Sequence, residues 1–183
     1  IFAEVRFLPD LAFPFIKLFE NEELLCFEVL LSFFLQWGQN LFESHPAPPG
    51  NVLKSMEEVL KYHEPELFEH IKEKNINIKI YAWLGLQNLF TDILTKQDWL
   101  GLMDFFVLNC HEPLYILYFM ASYFAILRDH IFAADRIDNI EFFIRKQKSI
   151  EIGRLTERMQ HYLATTPPSI LYVAYNDNLP IST

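Results

Sequence analysis

LYILYFMASYFAIL, residues 114–127, runs for fourteen positions without a charge. A membrane span needs about 20 apolar residues, and Arg128 and Asp129 follow at once. The stretch therefore reads as a helix buried on all sides in the middle of a helical domain. Leu24 to Trp37 is almost as apolar but carries Glu28, and the same reasoning applies to it.

Working outward, the remaining pattern is helical. Pro113 restarts the chain before the apolar run, which is expected to stay helical to about Phe132. N-terminal to it, Thr95 is placed to cap a helix with Trp99, Leu102, Met103 and Phe106 on one face. YAWLGLQNLF (81–90) reads as helix ending near Leu94. NINIKI (75–80) alternates like a strand, although a connector between helices suits the context better. Pro65 opens a helix to about Glu73 with Leu67, Phe68 and Ile71 inward. Another covers about Val52 to Tyr62, after the loop HPAPPG (45–50). Near the start, a helix is expected to open at about Pro14, and a second to run from an Asn21 cap to about Phe42. Towards the other end, Asp135 or Asp138 opens a helix through Ile137, Ile140 and Ile144. A last one runs from about Ile150 to Ala164, stopped by Pro167 and Pro168, and SILYVAY (169–175) is expected to add a turn. With only 5 glycines and 51% hydrophobic residues in 183, the sequence predicts an all-α fold with an ample core.

Charge narrows the partners. The net charge is −9 and the pI about 5.1, which opposes binding to a nucleic-acid backbone or an anionic membrane. The charge is uneven. Ten acidic residues between Glu20 and Glu69 face only Lys54 and Lys61, whereas seven basic residues against six acidic ones lie between Arg128 and Arg158. Cys26 and Cys110 each sit in an apolar stretch and read as two buried thiols in a reducing compartment. The chain begins at Ile1 rather than Met, which suggests a piece of a longer protein lacking preceding helices.

Chemistry is sparse. Glu66 and His70 lie four apart on one helix face and could contribute to a metal site, but such a site needs three or four converging ligands. A solvated Glu–His pair is the simpler account. His63 and His70 flank EPELFE (64–69), whereas His45, His111, His130 and His161 are isolated in sequence. No C-x-x-C, H-E-x-x-H, G-x-S-x-G or phosphate-cradling glycine loop is present, and no cofactor is implied. Residue types alone support a helical interaction domain.

A resemblance goes further. EVRFLPDLAFPF (4–15) resembles the glutamine-finger region of TBC domains, where Tyr-x-Gln-Gly precedes apolar residues and a Pro-Phe pair. Pro14 and Phe15 match that pair. YAWLGLQNLFTDILTKQDWLGLMDFF (81–106) resembles the family's second signature. Trp83 fills its first Trp, Leu89 and Phe90 its Leu-Phe pair, and Asp104 its Asp. Trp99 belongs to the same stretch, and Met103 stands where Trp is usual. Within the family, EVRFLPDLAFPFIKLFEN (4–21), CFE (26–28), IYAW (80–83), EFF (141–143) and TTP (165–167) are most similar to a WD-repeat-containing branch associated with centrosomes and cilia.

The resemblance implies a TBC-like domain over residues 1–165, followed by a short turn and frayed tail at 166–183. TBC domains accelerate GTP hydrolysis on Rab-type small GTPases. An arginine inserted in trans neutralises phosphate charge, and a glutamine orients the attacking water. This chain departs from that pattern. Arg6 stands at the glutamine position, Glu4 replaces the Tyr and Phe7 replaces the Gly, and the arginine-finger motif would lie upstream. Arginine only donates, so it cannot accept a hydrogen bond from the water as an amide does. Arg6 could pair with Glu4, could contact a GTPase without catalysis, or could serve as a displaced arginine finger. The expected function is a catalytically degraded TBC module that binds a Rab-type GTPase or centrosomal and ciliary proteins. The rivals are an active activator with an arginine supplied from upstream, and a purely structural helical domain.

Overall fold

A computed structural model describes residues 7–41, 47–134 and 136–172. Among these there are ten α-helices: α1 Leu8–Leu18, α2 Glu23–Gln36, α3 Gly50–His63, α4 Pro65–Glu73, α5 Ile78–Gln87, α6 Lys96–Leu108, α7 Tyr115–Ile126, α8 Arg128–Ala133, α9 Ile137–Arg145 and α10 Ile152–Thr165. Two 3₁₀ turns, Gln39–Leu41 and Pro168–Ile170, complete the regular structure, and one isolated bridge joins Leu94 to Lys148. The expected all-α class holds.

The charge-free stretch is the axis of the fold. Every residue of α7 from Tyr115 to Ala125 is buried, and α3 and α10 flank it. The amphipathic stripes of those two helices supply the walls. Val52, Met56, Val59 and Leu60 come from α3, and Leu155, Met159 and Tyr162 from α10. Each such aliphatic or aromatic side chain contributes about 1.5–3 kcal/mol by leaving water.

Several helix ends differ from the sequence expectation. Helix α1 opens at Leu8, with Pro9 in the first turn and Pro14 inside the helix, rather than at Pro14. Helix α2 starts at Glu23 without a side-chain cap from Asn21 and stops at Gln36. The expected single helix from Pro113 to Phe132 is split at Leu127, whose N–H is shared between the carbonyls of Tyr123 and Phe124. The split falls where the charge-free run ends and Arg128 turns to Glu64. Helix α9 opens after Arg136 with Asp138 in its first turn. Thr95 caps α6 as expected, its Oγ1 accepting from Asp98 N at 3.3 Å.

The corners on either side of α5 use one closure. After α4, Asn75 adopts φ 56°. The N–H of Ile76 donates to Ile71 O at 3.1 Å and that of Asn75 to Lys72 O at 2.9 Å, a Schellman end. NINIKI is thus a connector that becomes the first turn of α5, with Asn77 Oδ1 accepting from Lys79 N at 3.2 Å. At its far end α5 stops at Gln87 instead of running to Leu94. There Phe90 N donates to Gly85 O at 2.7 Å and Leu89 N to Leu86 O at 3.4 Å, while Leu89 (φ 51°) and Phe90 (φ 67°) are both left-handed.

Candidate functional site

Glu4 and Arg6 of the expected finger position lie outside the described residues. Phe7 is described. Its carbonyl accepts the first bond of α1, from Leu11 N at 3.0 Å, and its ring stands edge-on to Trp83 of α5, centroids 5.1 Å apart at 78°. Asp10 sits in the first turn of α1, where the helix dipole favours a carboxylate. The entry to α1 is thereby pinned to α5 by an aromatic pair.

The other signature residues continue that anchoring inward. Pro14 is half-buried inside α1. One helical step on, Phe15 is buried between Phe33 of α2, at 5.9 Å, and Trp99 of α6, at 5.6 Å and 74°. The Trp99 indole Nε1 donates to Leu89 O at 3.0 Å. Beside that carbonyl, the buried Phe90 ring packs on Phe119 of α7 at 4.2 Å. Phe15 and Trp99 thus tie α1 and α2 to α6 and to the end of α5, and Phe90 ties that end to α7. Asp104 does not join them and is exposed on α6.

A second polar constellation escaped sequence reasoning because its members are distant in the chain. Glu64 is the hinge residue between α3 and α4. Its Oε1 accepts from Arg158 Nη1 at 2.6 Å and from the Tyr162 hydroxyl at 3.2 Å, and its Oε2 from Arg128 Nη1 at 2.7 Å. Arg128 also donates to Glu66. Burial pushes the Tyr162 phenol up to about 12, which keeps it a donor. Next to it, His63 stacks on Tyr162 at 4.0 Å, with its Nε2 2.8 Å from Thr166 Oγ1. Since that hydroxyl donates to Tyr162 O at 2.6 Å, the imidazole must be the donor. Burial, and next His161, lower the basicity of His63. Every polar contact in this cluster is internal, and it clamps α10 to the α3–α4 corner.

The pair proposed from spacing does not converge. Glu66 is taken by Arg128, and His70 lies against Phe132 at 4.7 Å. Among the described residues no group of three or more His, Cys, Asp or Glu could hold a metal. Cys26 is buried as expected, but Cys110 is exposed in the turn after α6. Its position follows an apolar stretch, and its carbonyl accepts from Gln36. A groove of about 510 Å³ lies between α3, α4 and the start of α5. Its rim charges pair with one another, Lys79 with Glu57 at 2.8 Å and Lys72 with Glu69 at 3.6 Å. No helix among the described residues is long and apolar enough to cross a membrane.

What the arrangement offers is a rigidly held approach to α1 and no assembled reaction centre among the described residues. The Rab-GTPase-TBC domain model matches residues 6–132. TBC1 domain family member 31 of Homo sapiens is 36% identical over 170 residues, covering 93% of this chain and 16% of that protein. The Xenopus laevis protein of the same name is also 36% identical, with 93% and 15% covered, and that of Oryzias latipes is 34% identical, with 93% and 16% covered. The chain thus spans less than a fifth of these relatives. No solved structure matches it. With the family model spanning well over half its length, this protein belongs to the Rab-GTPase-TBC domain family.

Proposed function

We propose that this chain is a TBC domain that binds a Rab-type small GTPase without appreciably speeding GTP hydrolysis, and so works as an interaction module. The observation that carries the reading is Phe7. A finger loop needs backbone freedom to reach a bound nucleotide, and glycine supplies it. Here a bulky ring occupies that place and leans on Trp83. Arg6, one residue before it, cannot accept a hydrogen bond from water. Both changes weaken water positioning and leave the scaffold that presents the loop intact. The resemblance to the branch associated with centrosomes and cilia makes proteins of those structures the first partners to seek.

The test is single-turnover GTP hydrolysis by a panel of Rab-type GTPases with this chain in excess, beside binding of the same GTPases loaded with a non-hydrolysable GTP analogue. Binding without stimulation supports the reading. Stimulation above about a hundredfold, which is about 2.7 kcal/mol of barrier, overturns it. The rival is an active activator whose arginine comes from upstream. It predicts such stimulation from a longer polypeptide that contains this chain, and loss of it when that arginine becomes Ala.

A further inference from the structure

A cavity of about 220 Å³ opens between the end of α7, α8 and the link from α9 to α10, with no wall from α1 or α2. That link is fixed before any ligand arrives. Gln147 Nε2 donates to Leu94 O at 2.7 Å, Lys148 N to Ile93 O at 3.2 Å, and Ile150 N to Asp98 Oδ2 at 3.2 Å. Leu127 and Ile150, both buried, give the cavity an apolar wall. His130, Lys148 and Arg154 also line it. Elsewhere cations are met by carboxylates: Arg128 and Arg158 by Glu64, and Lys79 by Glu57. Among the described residues no carboxylate pairs with Lys148 or Arg154. The Lys148 ammonium donates to Phe143 O at 2.6 Å and lies 5.2 Å from the Tyr123 ring centre, which leaves two of its three N–H groups to spare. Burial, and next Lys146, lower that amine to about 8. Stacking on Phe143, at 5.0 Å and 12°, fixes the plane of the exposed His130 ring. Arg154 is exposed in the first turn of α10, where the helix dipole opposes a cation, so local electrostatics does not account for it. Glu151 is the one carboxylate in the lining, against two cations and an imidazole.

We propose that this cavity binds a phosphorylated serine or threonine side chain of a partner protein. Size points that way. At about 220 Å³ it is smaller than the roughly 300–1,000 Å³ of ordinary small-molecule sites, too tight for a nucleotide and roomy enough for a phosphomonoester on a short carbon stem. Lys148 and Arg154 would supply charge-assisted donors to the phosphate oxygens, and His130 a further N–H. Leu127 and Ile150 would pack on the stem. Glu151 would accept from a backbone N–H beside the phosphorylated residue, which favours a phosphate carried on a peptide. Arrival of the dianion would also return Lys148 to its full charge, offsetting the desolvation that lowers it now. Recognition of phosphorylated segments by basic clusters is a general mode. A net charge of −9 opposes an anionic membrane as the source of the phosphate. The site is separate from the finger position, and the proposal does not depend on whether the chain engages a GTPase.

The test uses the whole chain and a fluorescein-labelled pool of nine-residue peptides with a central phosphoserine or phosphothreonine and randomised flanks, followed by anisotropy. The same pool without phosphate is the control. The expected result is saturable binding of the phosphorylated pool, about tenfold or more tighter than that of the control. Arg154→Gln should weaken it about tenfold with unchanged thermal melting, because the side chain is exposed. Lys61→Gln/Lys72→Gln, in the groove between α3 and α4, should leave it unchanged. Brief acetylation at pH 8, read by peptide mass spectrometry, locates the site without any substitution. The phosphorylated pool should slow modification of Lys148 about tenfold and leave Lys61 and Lys72 unaffected. Equal binding of the two pools overturns the proposal, as does affinity indifferent to Arg154→Gln, or no protection of Lys148. Inorganic phosphate that protects Lys148 as well as the peptides do at equal concentration assigns the cavity to a free anion. Co-sedimentation with phosphatidic acid vesicles, lost in Arg154→Gln, assigns it to lipid. Either result overturns the peptide as occupant.

Discussion

The two corners that bracket α5 solve one geometrical problem with opposite materials. After α4 the left-handed position is filled by Asn75, exposed, of a type that tolerates φ > 0. After α5 the same hydrogen bonds are closed by Leu89, followed by a second left-handed residue, Phe90, both fully buried. Left-handed geometry costs about 1–2 kcal/mol for an ordinary residue. Burying a Leu or Phe returns about 1.5–3 kcal/mol each, so tertiary burial outweighs the local penalty at the second corner. At the first, local preference and structure agree. The difference separates a turn that local sequence specifies from one that the core imposes.

That contrast can be broken most forcefully at Phe90. Phe90→Ala removes the ring packed on Phe119 and should lower the unfolding free energy by about 3–5 kcal/mol in chemical denaturation. Gly85→Ala probes the same corner from below. An added Cβ would lie 3.1 Å from Phe90 Cδ1, and the overpacking should cost about 1–3 kcal/mol in the same assay. Trp99→Phe keeps an aromatic ring but strips the donor from Leu89 O. It should destabilise by about 1–2 kcal/mol, and a smaller effect would mean that the strained corner holds without that bond. The smallest effect belongs to the other corner. Asn75→Gly should change stability by less than about 0.5 kcal/mol, and Asn75→Ala should cost about 1 kcal/mol. If Asn75→Ala proved as damaging as Phe90→Ala, the distinction between local and imposed turns would fail.

The same distinction governs what the sequence revealed. Prolines, caps and periodicity read correctly for α3, α4 and the Thr95 start of α6, because the signal and the structure there are both local. The end of α5 was not legible, since neither Leu89 nor Phe90 advertises a stop. The break at Leu127 was hidden for a related reason. Nothing in the apolar run itself interrupts a helix, and the cue is the bond from Arg128 to Glu64, sixty-four residues away. Among the site residues, Pro14, Phe15, Trp83, Phe90 and Trp99 were named through family resemblance, and the structure shows packing contacts for the four aromatic ones. Trp83 packs on Phe7, and Phe15 on Trp99. The Glu64 cluster could be found by neither route, because its partners come from three separate stretches of chain. Pairing them requires the fold.

Helix α10 lies beyond residue 132, where the family match ends, yet it forms one flank of α7 and is bolted to Glu64 through Arg158 and Tyr162. A polypeptide trimmed at the family boundary would keep every residue that identifies it and lose one wall of its interior. The bared side of α7 would then be a sticky surface, prone to clump with other chains. The length needed to be recognised and the length needed to stand alone are therefore different, and α10 is the difference.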